Sequence, residues 1–161
     1  MVVRIPMSQE GYARLRQELD RLVKKERPTV IEAIEVARAH GDLKENAEYH
    51  AAKERQGHIE GRIMELKDNL GRAEVIDCTN VNCSRVVFGT VVTLVDLDTE
   101  DEIRYQLLGP LEADVSTGSI SVLSPIGQAM IGKVVGDEIT VKTPGGVRQL
   151  EVMDIKPPER A

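Results

Sequence analysis

The feature that most constrains the fold of this chain is a change in hydrophobic period near residue 74. Upstream of that point, apolar side chains recur every three or four residues, which is the pattern of an amphipathic helix. Downstream, short runs rich in β-branched residues are separated by turn sequences, which is the pattern of antiparallel strands. Because one type of element cannot satisfy both periods, we predict an α+β protein whose helical part precedes a β-rich part.

The helical part contains two long apolar stripes joined by a segment of a few residues. The first stripe comprises Leu15, Leu19, Leu22, Val30, Ile34 and Ala37, and the second comprises Leu43, Ala47, Tyr49, Ala52, Ile59, Ile63, Leu66, Leu70 and Ala73. Long helices with so short a connection pack side by side in opposite directions, so we predict an antiparallel coiled-coil hairpin that turns at residues 39–42. Pro28 interrupts the first stripe and predicts either one kinked helix or two helices in series. Ser8 is placed to cap the first helix at its N-terminus.

The β-rich part is predicted to be a mostly antiparallel sheet with one short helix. Its helix begins at Pro125, since proline suits a first helical position, and its strands cover 85–97, 102–109, 118–124, 137–143 and 147–155. The sequence PGG at 144–146 marks the turn between the last two strands. We expect the coiled coil to occupy residues 1–75, a linker to occupy 76–84 and the globular domain to occupy 85–158.

Composition narrows the classes of function. Aromatic residues make up 2% of the chain, so a pocket built from stacked rings is close to excluded. No apolar run approaches the roughly 20 residues of a membrane-spanning helix, and the N-terminus lacks the apolar stretch of a secretory signal, so we expect a cytoplasmic protein. Residues 1–74 carry 14 basic and 14 acidic side chains and residues 75–161 carry 7 and 13, which argues against a general duplex-DNA binder. Cys78 and Cys83 lack the further ligands of a structural zinc site.

The segment between the two stripes, HGDLKENAEYH at residues 40–50, contains three acidic residues: Asp42, Glu45 and Glu48. One interpretation is helix punctuation, in which Gly41 ends the first helix, Asp42 caps the second and Glu45 stands at the capping-box offset. Glu48 is then a solvent-facing residue. The other interpretation uses the same spacing: residues three apart share one side of a helix, so Asp42 and Glu45 could present two carboxylates to Mg²⁺. The spacing by itself leaves both interpretations open.

Two long blocks of sequence resemble one known family. ARAHGDLKENAEYHAAKERQGHIEGRI at 37–63 and SPIGQAMIGKVVGDEITVKTPGG at 124–146 are similar to the Gre family of bacterial transcript-cleavage factors, and to its GreA type in particular. RPTVIEAI before the first block and AEVIDC after it fit the same pattern, so the resemblance covers nearly the whole chain. It implies a coiled-coil finger that enters the secondary channel of RNA polymerase. It also implies a C-terminal domain of FKBP-like fold that docks at the outer rim of that channel.

The resemblance also assigns the acidic residues of the turn. The two tip acids of the family fall on Asp42 and Glu45, which would help to hold the second catalytic Mg²⁺ and its attacking water in the active site of the polymerase. The Mg²⁺ would be shared with the polymerase, and the isolated protein would bind none tightly. The chain would thus be a cofactor rather than an enzyme. It would stimulate hydrolysis of the 3′ end of backtracked RNA by the two-metal chemistry of the polymerase.

The resemblance places a basic patch on the finger, near the 3′ end of the RNA. This patch falls on Arg38 and Lys53, and the neighbouring Arg55 and Arg62 could extend it. The alternative is an ordinary solvated helix surface of mixed charge, balanced by Glu32, Glu35 and Glu54. Tyr49 is either a residue of the helical seam or a base-stacking residue. The expected partners are bacterial RNA polymerase and the 3′ end of the nascent RNA, with no membrane, and we expect a monomer.

Three rival functions fit the sequence less well. A Gre-fold regulator that binds polymerase without supporting cleavage would depart from the family at the tip, and the intact GDLKEN at 41–46 counts against it. A peptidyl-prolyl isomerase needs an aromatic-lined pocket, whereas the β-rich part contains Phe88 and Tyr105 as its aromatic residues. A stand-alone metal-dependent hydrolase needs a concave site that excludes water, and an exposed pair of carboxylates has none.

Overall fold

The computed structural model describes residues 3–42 and 46–158. In chain order its elements are β1 (Ile5–Ser8), α1 (Gln9–Arg21), a π-helical segment (Leu22–Glu26), α2 (Arg27–Arg38), α3 (Ala47–Gly71), β2 (Ala73–Ile76), β3 (Val91–Asp96), β4 (Glu102–Leu108), a 3₁₀ turn (Val115–Thr117), β5 (Ser119–Ser121), α4 (Pro125–Met130), β6 (Glu138–Thr143) and β7 (Gly146–Lys156). These residues divide into two compact units: a helical unit of residues 12–72, and a sheet unit of residues 3–11 together with 73–158. The predicted α+β class is confirmed.

The helical unit is an antiparallel hairpin, with α1, the π-helical segment and α2 on one side and α3 on the other. Leu22, Ile63 and Leu66 form a buried cluster between the two sides. The direction follows from three pairs in which one residue number falls as the other rises: Glu18 with Arg62, Arg27 with Glu60, and Ala37 with Asn46. Because the buried residues belong to the predicted stripes, the predicted helical hairpin is confirmed.

Pro28 lies inside a continuous helical stretch that runs from residue 9 to residue 38, so the alternative of two helices in series is not observed. A proline has no N–H for the carbonyl four residues earlier, and its ring clashes with that carbonyl, so an α-helix must adjust at this point. The structure adjusts with the π-helical segment just before it, where the Arg27 N–H donates to the Leu22 carbonyl. The Thr29 hydroxyl supplies a donor to the Lys25 carbonyl at 2.7 Å.

The π-helical segment also keeps the apolar stripe on one side of the helix. Leu22 and Val30 are both buried, and their separation in an ideal α-helix would turn one side chain about 80° past the other. The π-helical turn, in which an N–H bonds to the carbonyl five residues earlier, contains one residue more than an α-helical turn. This extra residue reduces the angle between the two side chains to about 20°. The segment therefore reconciles the gap in the predicted stripe with a continuous buried seam.

Two bidentate ion pairs cross the hairpin. Arg62 donates to Glu18 from Nε at 2.8 Å and from Nη2 at 3.0 Å, and Arg27 donates to Glu60 at 2.7 Å and 2.9 Å. The hydrogen bond from Arg62 holds the pKa of Glu18 below its ordinary value, and the bond from Arg27 does the same for the pKa of Glu60. Because a bidentate pair fixes orientation as well as distance, these pairs help to set the register of the hairpin.

The sheet unit is built on five strands in the order β5-β4-β3-β7-β6. Neighbouring strands are antiparallel except β4 and β5, which are parallel, so the predicted mostly antiparallel sheet is confirmed. β3 begins at Val91, later than the predicted start at residue 85, because the chain turns at Gly89 with a φ of 90°. The core of the unit is aliphatic, as the scarcity of aromatic residues requires, and includes Val92, Leu94, Leu107, Met130, Leu150 and Val152.

A separate two-stranded parallel sheet pairs β1 with β2, with Ile5 opposite Ala73 and Ser8 opposite Ile76. The predicted coiled coil covers residues 1–75, whereas the structure groups residues 3–11 and the chain from Ala73 onward in the sheet unit. Each of these strands has four residues, too few for a clear alternation. Their pairing also joins distant positions of the chain, which local patterns do not reveal.

The carboxylate of Glu112 fastens β1 within the sheet unit. Its Oε1 accepts the N–H groups of Ser8 at 2.8 Å and Gly109 at 2.9 Å, and its Oε2 accepts the Ser8 hydroxyl at 2.5 Å. The Ser8 hydroxyl oxygen in turn accepts the Gly11 N–H at 3.1 Å, which confirms Ser8 as the predicted N-cap of α1. A Cβ on Gly109 would lie 1.9 Å from the Pro6 carbonyl oxygen, so the two backbones approach too closely for any larger residue.

We expect Glu112→Ala to lower the free energy of unfolding by about 1–3 kcal/mol, because it removes the acceptor of two partly buried backbone N–H groups. Glu138→Ala removes the same charge at an exposed position of β6 and is the matched control, with an expected effect within about 0.5 kcal/mol. Chemical denaturation measures both values. Equal stability of the two variants would show that Glu112 does not fasten β1.

The ion pair of Glu18 makes the stability of the hairpin depend on pH. Because the pKa of Glu18 is lowered in the folded state, the pair stabilises the protein above the pKa of the unfolded chain, and this contribution is lost as pH falls through the folded-state value. The side chains of Arg62 and Glu18 are 38% and 30% exposed. We therefore expect Glu18→Gln to cost at most about 1 kcal/mol near neutral pH.

Denaturation of the wild type and of Glu18→Gln between about pH 7 and about pH 3 tests this expectation. The gap in stability should narrow on the acid side, because protonation of the folded carboxylate removes the ion pair as pH falls through the lowered pKa of Glu18. A gap of constant size over this range would contradict an ionic origin.

Candidate functional site

The predicted site lies in the connection between α2 and α3. α2 ends at Arg38, α3 begins at Ala47, and Gly41 between them has a φ of 111°, which glycine adopts without strain. Residues 43–45 lie outside the described residues. Glu45, predicted as the second tip acid, and Leu43, predicted as a seam residue, are therefore not described.

Asn46 is the N-cap of α3, because its Oδ1 accepts the Tyr49 N–H at 3.0 Å. This corrects the interpretation in which Asp42 caps the second helix. Asn and Asp are comparable caps, so local sequence did not distinguish the two positions. The Nδ2 of Asn46 also donates to the Ala37 carbonyl at 2.6 Å, so one side chain joins the end of α2 to the start of α3. This role of Asn46 is not among the predictions from the sequence, although asparagine is a common N-cap residue.

Asp42 is an exposed residue beside Gly41 in this connection. Its carboxylate oxygens are hard donors of the type that Mg²⁺ prefers, and Mg²⁺ is commonly held by one or two carboxylates together with water and phosphate oxygens. Within residues 3–42 and 46–158, no group of three His, Cys, Asp or Glu side chains is arranged to hold a metal ion. The Asp42 carboxylate is thus one ligand of the type that Mg²⁺ binds.

The predicted basic residues of the hairpin, Arg38, Lys53 and Arg55, are all exposed. We refer to these three as the basic patch. The structure shows no ion pair between the basic patch and a carboxylate of the described residues. Lys53 donates to Gln56 at 3.1 Å, and Glu54, expected to balance the patch, lies 3.8 Å from His58. The described contacts therefore do not neutralise the patch by direct pairing.

Two further predicted residues have well-defined surroundings. Arg62 does not extend the basic patch, because its guanidinium is bound to Glu18 and also lies 3.1 Å from Glu65. Tyr49 is half-buried, with the Arg38 guanidinium carbon 6.0 Å from its ring centroid. This cation–π contact holds one member of the basic patch against α3.

Cys78 and Cys83 are both free thiols. Burial, reinforced by the negative charges of Glu10, Glu112 and Asp77, raises the pKa of Cys78 to about 11. A thiol with such a pKa stays protonated near neutral pH, so Cys78 lacks the thiolate that nucleophilic or metal-binding cysteines require. Among the helices of the described residues, none has the length and hydropathy needed to cross a membrane.

Comparison with known proteins matches both parts of the chain to one family. Residues 5–75 match the model for the N-terminal part of the transcription elongation factors, and residues 81–157 match the model for the C-terminal part of GreA/GreB. The chain is 67% identical over 156 residues to transcription elongation factor GreA of Desulfotalea psychrophila, covering 97% of each chain. It is 55% identical over 155 residues to the GreA of Thermodesulfovibrio yellowstonii, covering 96% of this chain and 98% of that one.

Among solved structures, the chain is similar to the crystal structure of GreA factor homolog 1 (Gfh1) of Thermus thermophilus. That chain is 30% identical, with a TM-score of 0.44 and coverage of 94% of this chain and 98% of the other. The two family models together cover nearly all of the sequence, and both describe the same family. The chain therefore belongs to the GreA/GreB family of transcription elongation factors.

Proposed function

We propose that this elongation factor acts on bacterial RNA polymerase in the cytoplasm and stimulates the polymerase to hydrolyse the 3′ end of backtracked RNA. The observation that carries the proposal is the division of roles in the connection between α2 and α3. Asn46 caps α3, so the exposed carboxylate of Asp42 is not required for that cap. The N-cap of α3, which was the principal alternative role for Asp42, is thus filled by Asn46.

The hairpin is the part of the chain suited to reach a buried active site. α3 has 25 residues, and a helix of that size extends about 37 Å at 1.5 Å per residue. In the proposed complex the hairpin enters the secondary channel, and the sheet unit docks at the outer rim of that channel. This arrangement is the one implied by the resemblance of residues 37–63 and 124–146 to the family.

In that complex Asp42 and Glu45 would bind the second catalytic Mg²⁺ together with ligands of the polymerase. When bound, the ion supplies a nucleophilic water and stabilises negative charge on the oxygens of the scissile phosphate. The contribution of this chain is to deliver two carboxylates and to hold them. Because the remaining ligands come from the polymerase, the chain itself is a cofactor and not a nuclease.

The basic patch has a separate role in this proposal. Arg38, Lys53 and Arg55 are exposed cations near the same end of the hairpin, and cations of this kind bind phosphate oxygens of single-stranded RNA without reading its sequence. The Arg38 guanidinium carbon lies 6.0 Å from the Tyr49 ring centroid, within the range of a cation–π contact. The patch would therefore bind the displaced 3′ segment of the RNA near the tip acids.

A regulator that occupies the channel without supporting cleavage is the second candidate, and it is not favoured. The described tip keeps an exposed Asp42, and the relatives that are 55% and 67% identical over nearly the full length are named GreA. A cleavage assay separates the two candidates, because both bind polymerase and the cleavage factor alone shortens the RNA.

We expect Asp42→Asn and Glu45→Gln each to reduce the rate of stimulated cleavage about a hundredfold or more, because a neutral amide is a poor ligand for a hard cation. That loss corresponds to about 3 kcal/mol of transition-state stabilisation. The assay uses a stalled, backtracked elongation complex with Mg²⁺ and sizes the RNA. Glu48→Gln, in the exposed first turn of α3, removes an equal charge nearby and is the matched control.

The dependence on Mg²⁺ sharpens this test. If the tip acids hold the ion, the defect should shrink as Mg²⁺ rises, since mass action partly refills a weakened site. Thermal unfolding midpoints and polymerase affinity should stay close to those of the wild type. Wild-type rates for both variants, or losses that follow a fall in the unfolding midpoint, would overturn the proposal.

We also expect the isolated protein to cleave no RNA and to bind Mg²⁺ weakly, because two exposed carboxylates leave most of the coordination shell to water. Incubation of labelled RNA with Mg²⁺ and with protein freed of polymerase tests the first point, and calorimetric titration with Mg²⁺ tests the second. Sustained RNA cleavage that persists through repeated purification would contradict a cofactor role.

A further inference from the structure

The side chain of Asn46 makes two hydrogen bonds that face in opposite directions along the chain. Its Oδ1 accepts the Tyr49 N–H in the first turn of α3, at 3.0 Å. Its Nδ2 donates to the Ala37 carbonyl in the last turn of α2, at 2.6 Å. Helix ends leave backbone donors at the start of one helix and acceptors at the end of the other without partners. One amide therefore caps α3 and gives a second donor to the Ala37 carbonyl, which also accepts the His40 N–H at 3.2 Å.

We propose that Asn46 is a positioning residue for the tip acid Asp42. The bond to Ala37 joins the start of α3 to the last turn of α2, and Asp42 lies in the connection between these two joined points. Joining two points of a chain lowers the number of conformations open to a residue between them. The inference rests on the proposed function, because the placement of the Asp42 carboxylate matters for cleavage only if it acts in it.

The two hydrogen bonds of the Asn46 side chain require an amide, because one needs an acceptor and the other needs a donor. Asp, Ser and Asn all cap a helix by accepting from its first turn, but an ionised Asp has no donor for the Ala37 carbonyl. A capping role alone thus predicts that Asn46→Asp behaves as the wild type. A bridging role predicts a loss, because a carboxylate would face the carbonyl oxygen in place of an N–H.

The same residue also fixes the surroundings of the basic patch. The backbone of Tyr49 is bound to Asn46, and its ring lies against the Arg38 guanidinium at 6.0 Å. The Asn46 carbonyl additionally accepts the His50 N–H at 3.1 Å. Asn46 is therefore bonded to the last turn of α2 through Ala37 and is linked to Arg38 through Tyr49.

The test compares Asn46→Asp with Asn46→Ser, which keeps a cap without adding charge. We expect both variants to lower the cleavage rate at saturating factor about tenfold to a hundredfold, because misplacing a reacting group by about 1 Å costs rates of that order. The factor concentration that gives half-maximal stimulation should not change, since polymerase binding is not affected. Thermal unfolding midpoints should stay close to the wild-type value because the cap remains.

A readout that does not depend on cleavage is amide hydrogen exchange by NMR in the isolated protein. The N–H groups of Ala39, His40 and Gly41 bond to the carbonyls of the last turn of α2. Their exchange should accelerate in both variants, while exchange of the Tyr49 amide stays slow because the cap is retained. A purely structural role would instead lower the unfolding midpoint and accelerate exchange throughout α3.

The outcomes separate this inference from the proposed function. Loss of cleavage in Asp42→Asn together with wild-type rates and exchange in both Asn46 variants would overturn the positioning role and leave the proposed function intact. Wild-type cleavage by Asp42→Asn would overturn the proposed function, and the positioning role with it. A rate loss in the Asn46 variants that follows a raised half-maximal concentration would also overturn positioning, because the defect would then lie in binding.

Discussion

The register of the helical hairpin is the constraint on which the candidate site depends. Burial of Leu22, Ile63 and Leu66 drives the two sides together, but hydrophobic burial is not directional and tolerates small slips. The bidentate pairs of Arg62 with Glu18 and of Arg27 with Glu60 are directional, and each matches one residue of the first side to one residue of α3. Together these contacts determine which residues stand opposite each other at the turn, and so place Asn46 beside Ala37.

The π-helical segment between α1 and α2 also helps to set the register of the hairpin. Without this segment, the spacing between Leu22 and Val30 would turn the apolar side chains from Val30 onward away from α3. Pro28 and the π-helical segment therefore act together. The proline prevents a regular α-helical hydrogen bond, and the wider turn before it keeps the apolar side chains on the side that faces α3. The continuity of the buried surface up to Ala37 and Ala52 depends on it.

The polar residues in the connection between α2 and α3 have different roles. Asn46 supplies the cap and the bridge, and Asp42 remains an exposed acid. The Asn46 cap makes helix punctuation compatible with the metal-binding role proposed for Asp42. The segment needs a cap to begin α3, and it has one that uses no carboxylate.

The sequence by itself determined the elements, and the tertiary structure decided how distant residues combine. The helical stripes, the strands near 102–109 and 137–155 and the aliphatic core follow from periodicity, because packing on one face selects residues at fixed short spacings. The resemblance to the family identified Asp42 and Glu45, and Glu45 remains a prediction outside the described residues. Periodicity carried no signal for the pairing of β1 with β2 or for the carboxylate of Glu112 that fastens it, since those contacts join positions far apart in the chain. The choice of Asn46 over Asp42 as the cap was also beyond local sequence, because both residue types cap equally well and the end of the buried seam decides where α3 begins.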